Sequence, residues 1–375
     1  MFNNIFDPKN WTGIPFHFWS LVFFTFGCNI GSFLNVCIHR LPLGQSVASP
    51  PSHCPHCKYS IPWYLNIPLV TWLWLRGKCR NCGAPISIRY FLVELLTGVT
   101  FLACWNAFGR QSAILALIYC LFLAGLIAAT FIDIEHLIIP DEITIGGMVV
   151  GAICAAAMPQ LLGEEIWYRG LWKSLLGMGV GAGLIYGVVR GGKLLFGRQR
   201  VAMPAESKII FSETAVHLPD SDVLYEDLFY RKSDVIKIEA RTVELPDRCY
   251  KDTLVRLSPE NLRIGEDEFN PEEVPHMEVV SGEIVLPREA MGFGDVKFMG
   301  AIGAFLGWQA VFFTLTVSAL IASVYGISMI AVQRQKWSGR LWLGPFMALA
   351  ATLWVFDGPA LVRWYEDFIQ RMLGR

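Results

Sequence analysis

The sequence predicts a mainly α-helical, polytopic membrane protein with a small metal-binding loop and an inserted β-rich domain. Three observations lead there. Hydrophobic residues make up 54% of the 375 and charged residues only 17%, more apolar and less charged than ordinary soluble domains. Seven apolar runs reach the length of a span, about 20 residues for roughly 30 Å of hydrocarbon. Over half of all charged side chains crowd into one stretch, Lys193 to Glu289, where acidic residues outnumber basic ones.

The runs are Ile14 to Ile38, Phe91 to Phe108, Ser112 to Ile132, Ile143 to Leu162, Leu171 to Val189, Val296 to Val332 and Leu341 to Ala360. The sixth is too long for one ordinary crossing and is broken by Gly307 and Trp308, so about eight transmembrane helices are expected. The first run carries its charges after the apolar stretch rather than before it, and reads as a retained helix instead of a cleaved signal. Lys and Arg mark the loops that stay cytoplasmic. They cluster after span one (Arg40, Lys58, Arg76, Lys78, Arg80, Arg89), after span five (Arg190, Lys193, Arg198, Arg200) and before span eight (Arg334, Lys336, Arg340). Eight alternating crossings put all three clusters on one side, with the N-terminus outside.

The expected organisation is therefore residues 1–40 as the first span, 41–89 as a cytoplasmic loop, 90–192 as spans two to five, 193–290 as an inserted cytoplasmic domain and 291–375 as spans six to eight. The insert reads as β-rich because Ile236, Ile238 and Ala240 alternate with Lys237, Glu239 and Arg241, the two-residue period of a half-buried strand. Further short apolar runs lie at Thr253 to Leu257 and Glu283 to Leu286. Its acidic surface reads as a solvated face, and no catalytic constellation is evident in it. The lipid bilayer is an expected partner and nucleic acid is not.

In the 41–89 loop, Cys54-Pro-His-Cys57 and Cys79-Arg-Asn-Cys82 form two knuckles. Each tight turn offers two thiolates to one ion, and two knuckles complete the tetrahedral shell that zinc prefers. A pair of disulfides is the competing reading. It is disfavoured on the cytoplasmic side, where thiols stay reduced. A closed four-thiolate site leaves no position for water, so the zinc is expected to be structural. His53 and His56 read as bystanders, and the cysteines in the apolar runs as small buried hydrophobes.

Two acidic motifs stand at the edge of hydrocarbon. Span three ends in Asp133-Ile-Glu135-His136-Leu-Ile-Ile-Pro140-Asp141, and span six begins at Gly292-Phe-Gly294-Asp295-Val-Lys297. Ionisable groups at that depth are costly and mark function by default. Both motifs fall at cytoplasmic ends, so Asp133 and Asp295 are candidates for a catalytic pair. Two carboxylates sharing a site do not easily both ionise; one activates water while its protonated partner polarises the scissile carbonyl. Gly292 and Gly294 would let a peptide strand approach. The alternative for these aspartates is helix capping or pairing with neighbouring Lys and Arg. It suits Asp141, which could cap span four after Pro140.

With these residues in view, the chain resembles the type IV prepilin peptidases. The resemblance runs through Gly31-Ser-Phe-Leu-Asn-Val, His39-Arg-Leu-Pro42, the two knuckles, Asn66-Ile-Pro-Leu-Val70, Arg89-Tyr90 with Glu94, Asp133 to Asp141, Gly292 to Asp295 with Lys297, and Gly344-Pro345. It implies an enzyme of the bacterial inner membrane with its active site facing the cytoplasm. Such an enzyme cleaves the basic leader of prepilins or pseudopilins of type IV pili and type II secretion. It then N-methylates the new N-terminus with S-adenosylmethionine. It also implies Asp133 and Asp295 as the catalytic aspartates, with Asp141 outside that pair. The insert of about a hundred residues and the loss of the family's usual Pro-Phe before Gly344-Pro345 depart from the pattern. Two rival readings are another intramembrane protease of the Gly-x-Gly-Asp type, and a non-enzymatic transporter or assembly scaffold.

Overall fold

The computed structural model describes residues 16–196, 198–219, 221–229, 234–287, 292–332 and 342–372. Two compact units result: Met1–Ile185 with Phe293–Arg375, and Tyr186–Gly292.

The first unit is helical. Its long elements are α1 (Phe16–Arg40), α3 (Ile88–Phe108), α4 (Ala113–His136), α5 (Asp141–Ala157), α6 (Trp167–Phe196), α8 (Phe293–Ala331) and α9 (Gly344–Met372). A short helix, α2 (Val70–Trp74), lies in the loop between α1 and α3. Ser87 and Ser112 cap α3 and α4, accepting from the backbone N–H groups of Arg89 and Leu115, as short polar side chains do at helix starts. Helices pack closely where glycines allow it. Gly27 and Gly31 of α1 face α3 so tightly that a Cβ on Gly31 would come 2.7 Å from the Cα of Glu94. This is the small-residue spacing that membrane helices use. Gly177 and Gly181 of α6 meet Gly303 and Met299 of α8 in the same way.

Five helices, α1, α3, α4, α6 and α8, are long and apolar enough to cross a membrane. A sixth is added if α9, bent by 77° between Gly358 and Ala360, is taken as one broken span. The eight crossings expected are thus not confirmed among the described residues. At 17 residues, α5 is shorter than the 20 or so that cross roughly 30 Å of hydrocarbon. Within α8, Gly307 at φ 80° and ψ 173° interrupts the helical backbone, so the run is two helices joined across a kink. The break falls at the residue where the sequence places it.

Beyond the last residues of α6, the described residues of the second unit form one antiparallel sheet of eight strands. These are β1 (Arg198–Phe211), β2 (Ala215–Leu218), β3 (Ser221–Leu224), β4 (Ile236–Glu244), β5 (Cys249–Leu257), β6 (Leu262–Ile264), β7 (Asp267–Phe269) and β8 (Met277–Pro287), with a one-turn helix α7 (Tyr225–Leu228). The order is β3-β2-β1-β8-β4-β5-β6-β7. Ile236, Ile238 and Ala240 are buried while Glu239 and Arg241 are exposed, as the alternation predicts. With Ile209, Val255 and Ile284 they belong to one apolar core.

Candidate active site and metal centre

The metal centre is built locally. The knuckle turns close with Lys58 N–H donating to Cys54 O (2.9 Å) and Gly83 N–H to Cys79 O (2.9 Å), while Cys54 N–H reaches Tyr59 O and Cys79 N–H reaches Ala84 O. Both turns end on a positive φ, at Lys58 and at Gly83. All four sulfurs lie within 4.8 Å of one another, with Cys54 to Cys82 at 3.8 Å and Cys57 to Cys79 at 4.0 Å. Zn–S bonds of about 2.3 Å in a tetrahedron require sulfurs about 3.8 Å apart, so this donor set fits a four-thiolate ion. The same distances are far too long for disulfides, and all four thiols are free. Hydrogen bonds favour the ligating form at two positions. The Asn81 amide, foremost, brings the Cys57 thiol down to about 6, and the backbone N–H groups of Cys82 and Asn81 lower Cys79. Cys82 is held up at about 11: the Ala84 N–H pulls it down, but desolvation and the neighbouring sulfurs outweigh that pull.

Separate polar contacts tie α1, this loop, α3 and α4 together. Arg40, buried, donates to Ser46 O (3.0 Å) and Pro50 O (2.7 Å) and so fixes the start of the loop. Asn35, also buried, donates from Nδ2 to Tyr90 O at 3.1 Å. Glu94 accepts from the Leu69 N–H at 2.7 Å. Leu69 itself sits at φ 62° and ψ −51°, with Val70 N–H donating back to Pro68 O at 2.6 Å. That is the rare, strained form of γ-turn. Arg89 then pairs with Glu135, two residues beyond Asp133.

Asp133 is buried near the C-terminal end of α4. Its helix stops because Leu137 turns left-handed, at φ 56°, and closes onto Asp133 O. The Asp133 Oδ2 accepts from the Gly344 N–H at 3.1 Å. The carboxylate therefore caps the first turn of α9, where N–H groups lack helical partners and the dipole favours negative charge. A Cβ on residue 344 would stand 2.5 Å from that oxygen, so any other residue there would displace the carboxylate. Asp295 is half-buried in the first turn of α8.

Contacts of Ile139 and Asp141 join the segments that carry the two aspartates. Ile139, buried in the turn between α4 and α5, lies 3.5 Å from the Cβ position of Gly294, and its Cδ1 lies 3.3 Å from that of Gly344. Lys297 Nζ donates to Asp141 Oδ1 at 2.6 Å. Asp141 is thus the first residue of α5 and not its cap. Pro140 holds the cap position without a side-chain bond, and Asp141 spends its carboxylate on Lys297. Ile139 and the Lys297–Asp141 pair escape sequence reasoning, because their partners are remote in the chain. A cavity of about 410 Å³ lined by Tyr119, Lys173 and Trp308 lies elsewhere. Tyr119 precedes Asp133 by 14 residues of α4, roughly 20 Å along a helix.

Comparison with known proteins decides the family. Residues 25–108 match the bacterial peptidase A24 N-terminal domain, and residues 120–202 and 278–327 match the type IV leader peptidase family. The chain belongs to the type IV leader peptidase family. It is an enzyme, and the knuckles, the Asp133 motif and the Gly294-Asp295 motif all fall inside the matched residues. The match to the leader peptidase model breaks off between residues 202 and 278, within the sheet. A prepilin leader peptidase/N-methyltransferase of Aeromonas hydrophila is 29% identical over 377 residues, covering 94% of this chain and 95% of its own length. One of Aeromonas salmonicida strain A449 is 26% identical, covering 95% and 97%. One of Myxococcus xanthus is 45% identical over 154 residues, 41% of this chain and 44% of its own length. No solved structure matches.

Proposed function

We propose that this enzyme is a membrane aspartic endopeptidase that removes the leader of prepilins or pseudopilins, with Asp133 and Asp295 as its catalytic pair. The observation that carries the reading is the meeting of three motif segments: Asp133 on the Gly344 N–H, and Ile139 and Asp141 on Gly294 and Lys297. One carboxylate, ionised, takes a proton from water as the water attacks the carbonyl. The other, protonated, donates to the carbonyl oxygen, and the pair then returns a proton to the leaving amine.

In this reading the active site faces the cytoplasm from the bacterial inner membrane, on the side of the basic loops. Cys54, Cys57, Cys79 and Cys82 hold a structural zinc, and residues 193–290 are an inserted domain. The new N-terminus is methylated with S-adenosylmethionine, a step supported by the names of the relatives; no residues are assigned to the donor.

The decisive experiment incubates purified protein with a prepilin and compares Asp133→Ala, Asp295→Ala and Asp141→Ala. The first two are expected to abolish cleavage and the third to retain part of it. Robust cleavage by either of the first two removes the catalytic pair. Cleaved product without an added methyl in the presence of S-adenosylmethionine leaves a peptidase alone.

A further inference from the structure

Between α1 and α3 the loop exposes an apolar surface that the protease reading does not use. Within twelve residues, Trp63 is 82% exposed, Trp74 69%, Val70 and Leu73 58%, and Tyr64 and Ile67 45%. Two tryptophans at about 250 Å² per ring would then leave several hundred Å² of apolar surface in water. A patch of that size on a loop marks a contact surface.

The depth of this segment identifies what covers it. Leu69 is tied to Glu94, and Glu94 lies six residues into α3, about 9 Å along its axis. The exposed apolar face of α3 starts at Ile88 and continues through Leu92, Leu96 and Val99, so its lipid-facing surface begins at the first turn. The Trp63–Trp74 segment is thus held below the mouth of a spanning helix. That depth matches the 5–10 Å or so at which apolar faces settle between headgroups and acyl chains. Tryptophan and tyrosine favour this zone. Exposed Arg76, Lys78 and Arg80 follow at once, where anionic headgroups would meet them. The strained turn at Leu69 has a purpose in this arrangement: it turns the N–H onto Glu94 of α3 while Ile67 and Val70 stay exposed.

We infer that Trp63–Trp74 is a re-entrant interfacial anchor, its apolar side chains seated in the bilayer between headgroups and upper acyl carbons. The inference does not rest on the peptidase chemistry. It is tested on the full wild-type chain in vesicles of phosphatidylcholine with or without phosphatidylglycerol, using a lipid with a photoreactive group high on its acyl chain and mapping adducts by mass spectrometry. Peptides spanning 63–74 should label to within about twofold of those from α1 and α3. The Cys54–Cys57 knuckle should label at least tenfold less, and phosphatidylglycerol should raise the 63–74 signal. Labelling confined to the helices, with 63–74 open to a water-soluble oxidant, overturns the anchor. So does a 63–74 signal that disappears when a prepilin is added, which would make the surface a substrate contact.

Discussion

Gly344→Ala separates a catalytic Asp133 from one that merely caps a helix. The new Cβ would sit 2.5 Å from Asp133 Oδ2, where real Cβ atoms do not come within 3.0 Å. The carboxylate must therefore retreat by at least half an ångström or give up its 3.1 Å bond from the Gly344 N–H. A reacting group tolerates about 0.5 Å of displacement, and 1 Å costs about 100-fold. A hydrogen bond to a charged group is worth about 1.5–3 kcal/mol. Both routes predict cleavage slowed about 10- to 100-fold, or about 1.4–2.7 kcal/mol in activation free energy. The assay measures kcat/KM on a prepilin in detergent micelles, with thermal unfolding of the same samples alongside. Wild-type cleavage by Gly344→Ala, with only the unfolding temperature lowered, would reduce Asp133 to a helix cap.

Further outcomes follow from other contacts. Lys297→Met and Asp141→Ala should each lower cleavage modestly, and a double-mutant cycle should return a coupling of about 0.5–2 kcal/mol, the range for residues in direct contact. Zero coupling means that the ion pair does not hold the two segments. Cys54→Ser or a strong chelator should release the metal, measured by elemental analysis, and should expose residues 41–89 to protease before activity falls. Glu94→Ala should free the Leu69 N–H and speed hydrogen exchange at Leu69 and Val70 at least tenfold, an effect absent if the turn holds itself. Ile284→Ala, in a fully buried position of β8, should destabilise the sheet by about 2–5 kcal/mol. Protease should then cut within 198–287 while the helical unit survives.

Features written in short-range spacing were legible in the sequence. The knuckles could be read because each pair of thiols is fixed by one turn, and strand β4 because alternation alone decides which of Ile236, Lys237 and Ile238 goes inside. The position of the break at Gly307 was legible, since glycine in a long apolar run signals a special φ. How the two halves pack against α5 and α6 was not, because those contacts are remote in the chain. The strand order was hidden too. β1 and β8 are neighbours although they open and close the sheet, and no local pattern encodes that pairing. The same limit applies at the carboxylates. Charge at the hydrocarbon edge singles out Asp133 and Asp295, but the roles of Gly344, Ile139 and Lys297 arise only from contacts across large sequence distances.

The bond from Gly344 to Asp133 joins residues 211 positions apart. A ribosome adding about 5–20 residues per second needs roughly 10–40 s to cover that distance. Throughout that interval a nascent chain already carries Asp133 in its membrane helix but lacks the donor that orients it. On the proposed role of Asp133, a proteolytic centre completed only by the start of α9 would be silent during its own insertion, when unfinished helices nearby would be the first peptides within reach.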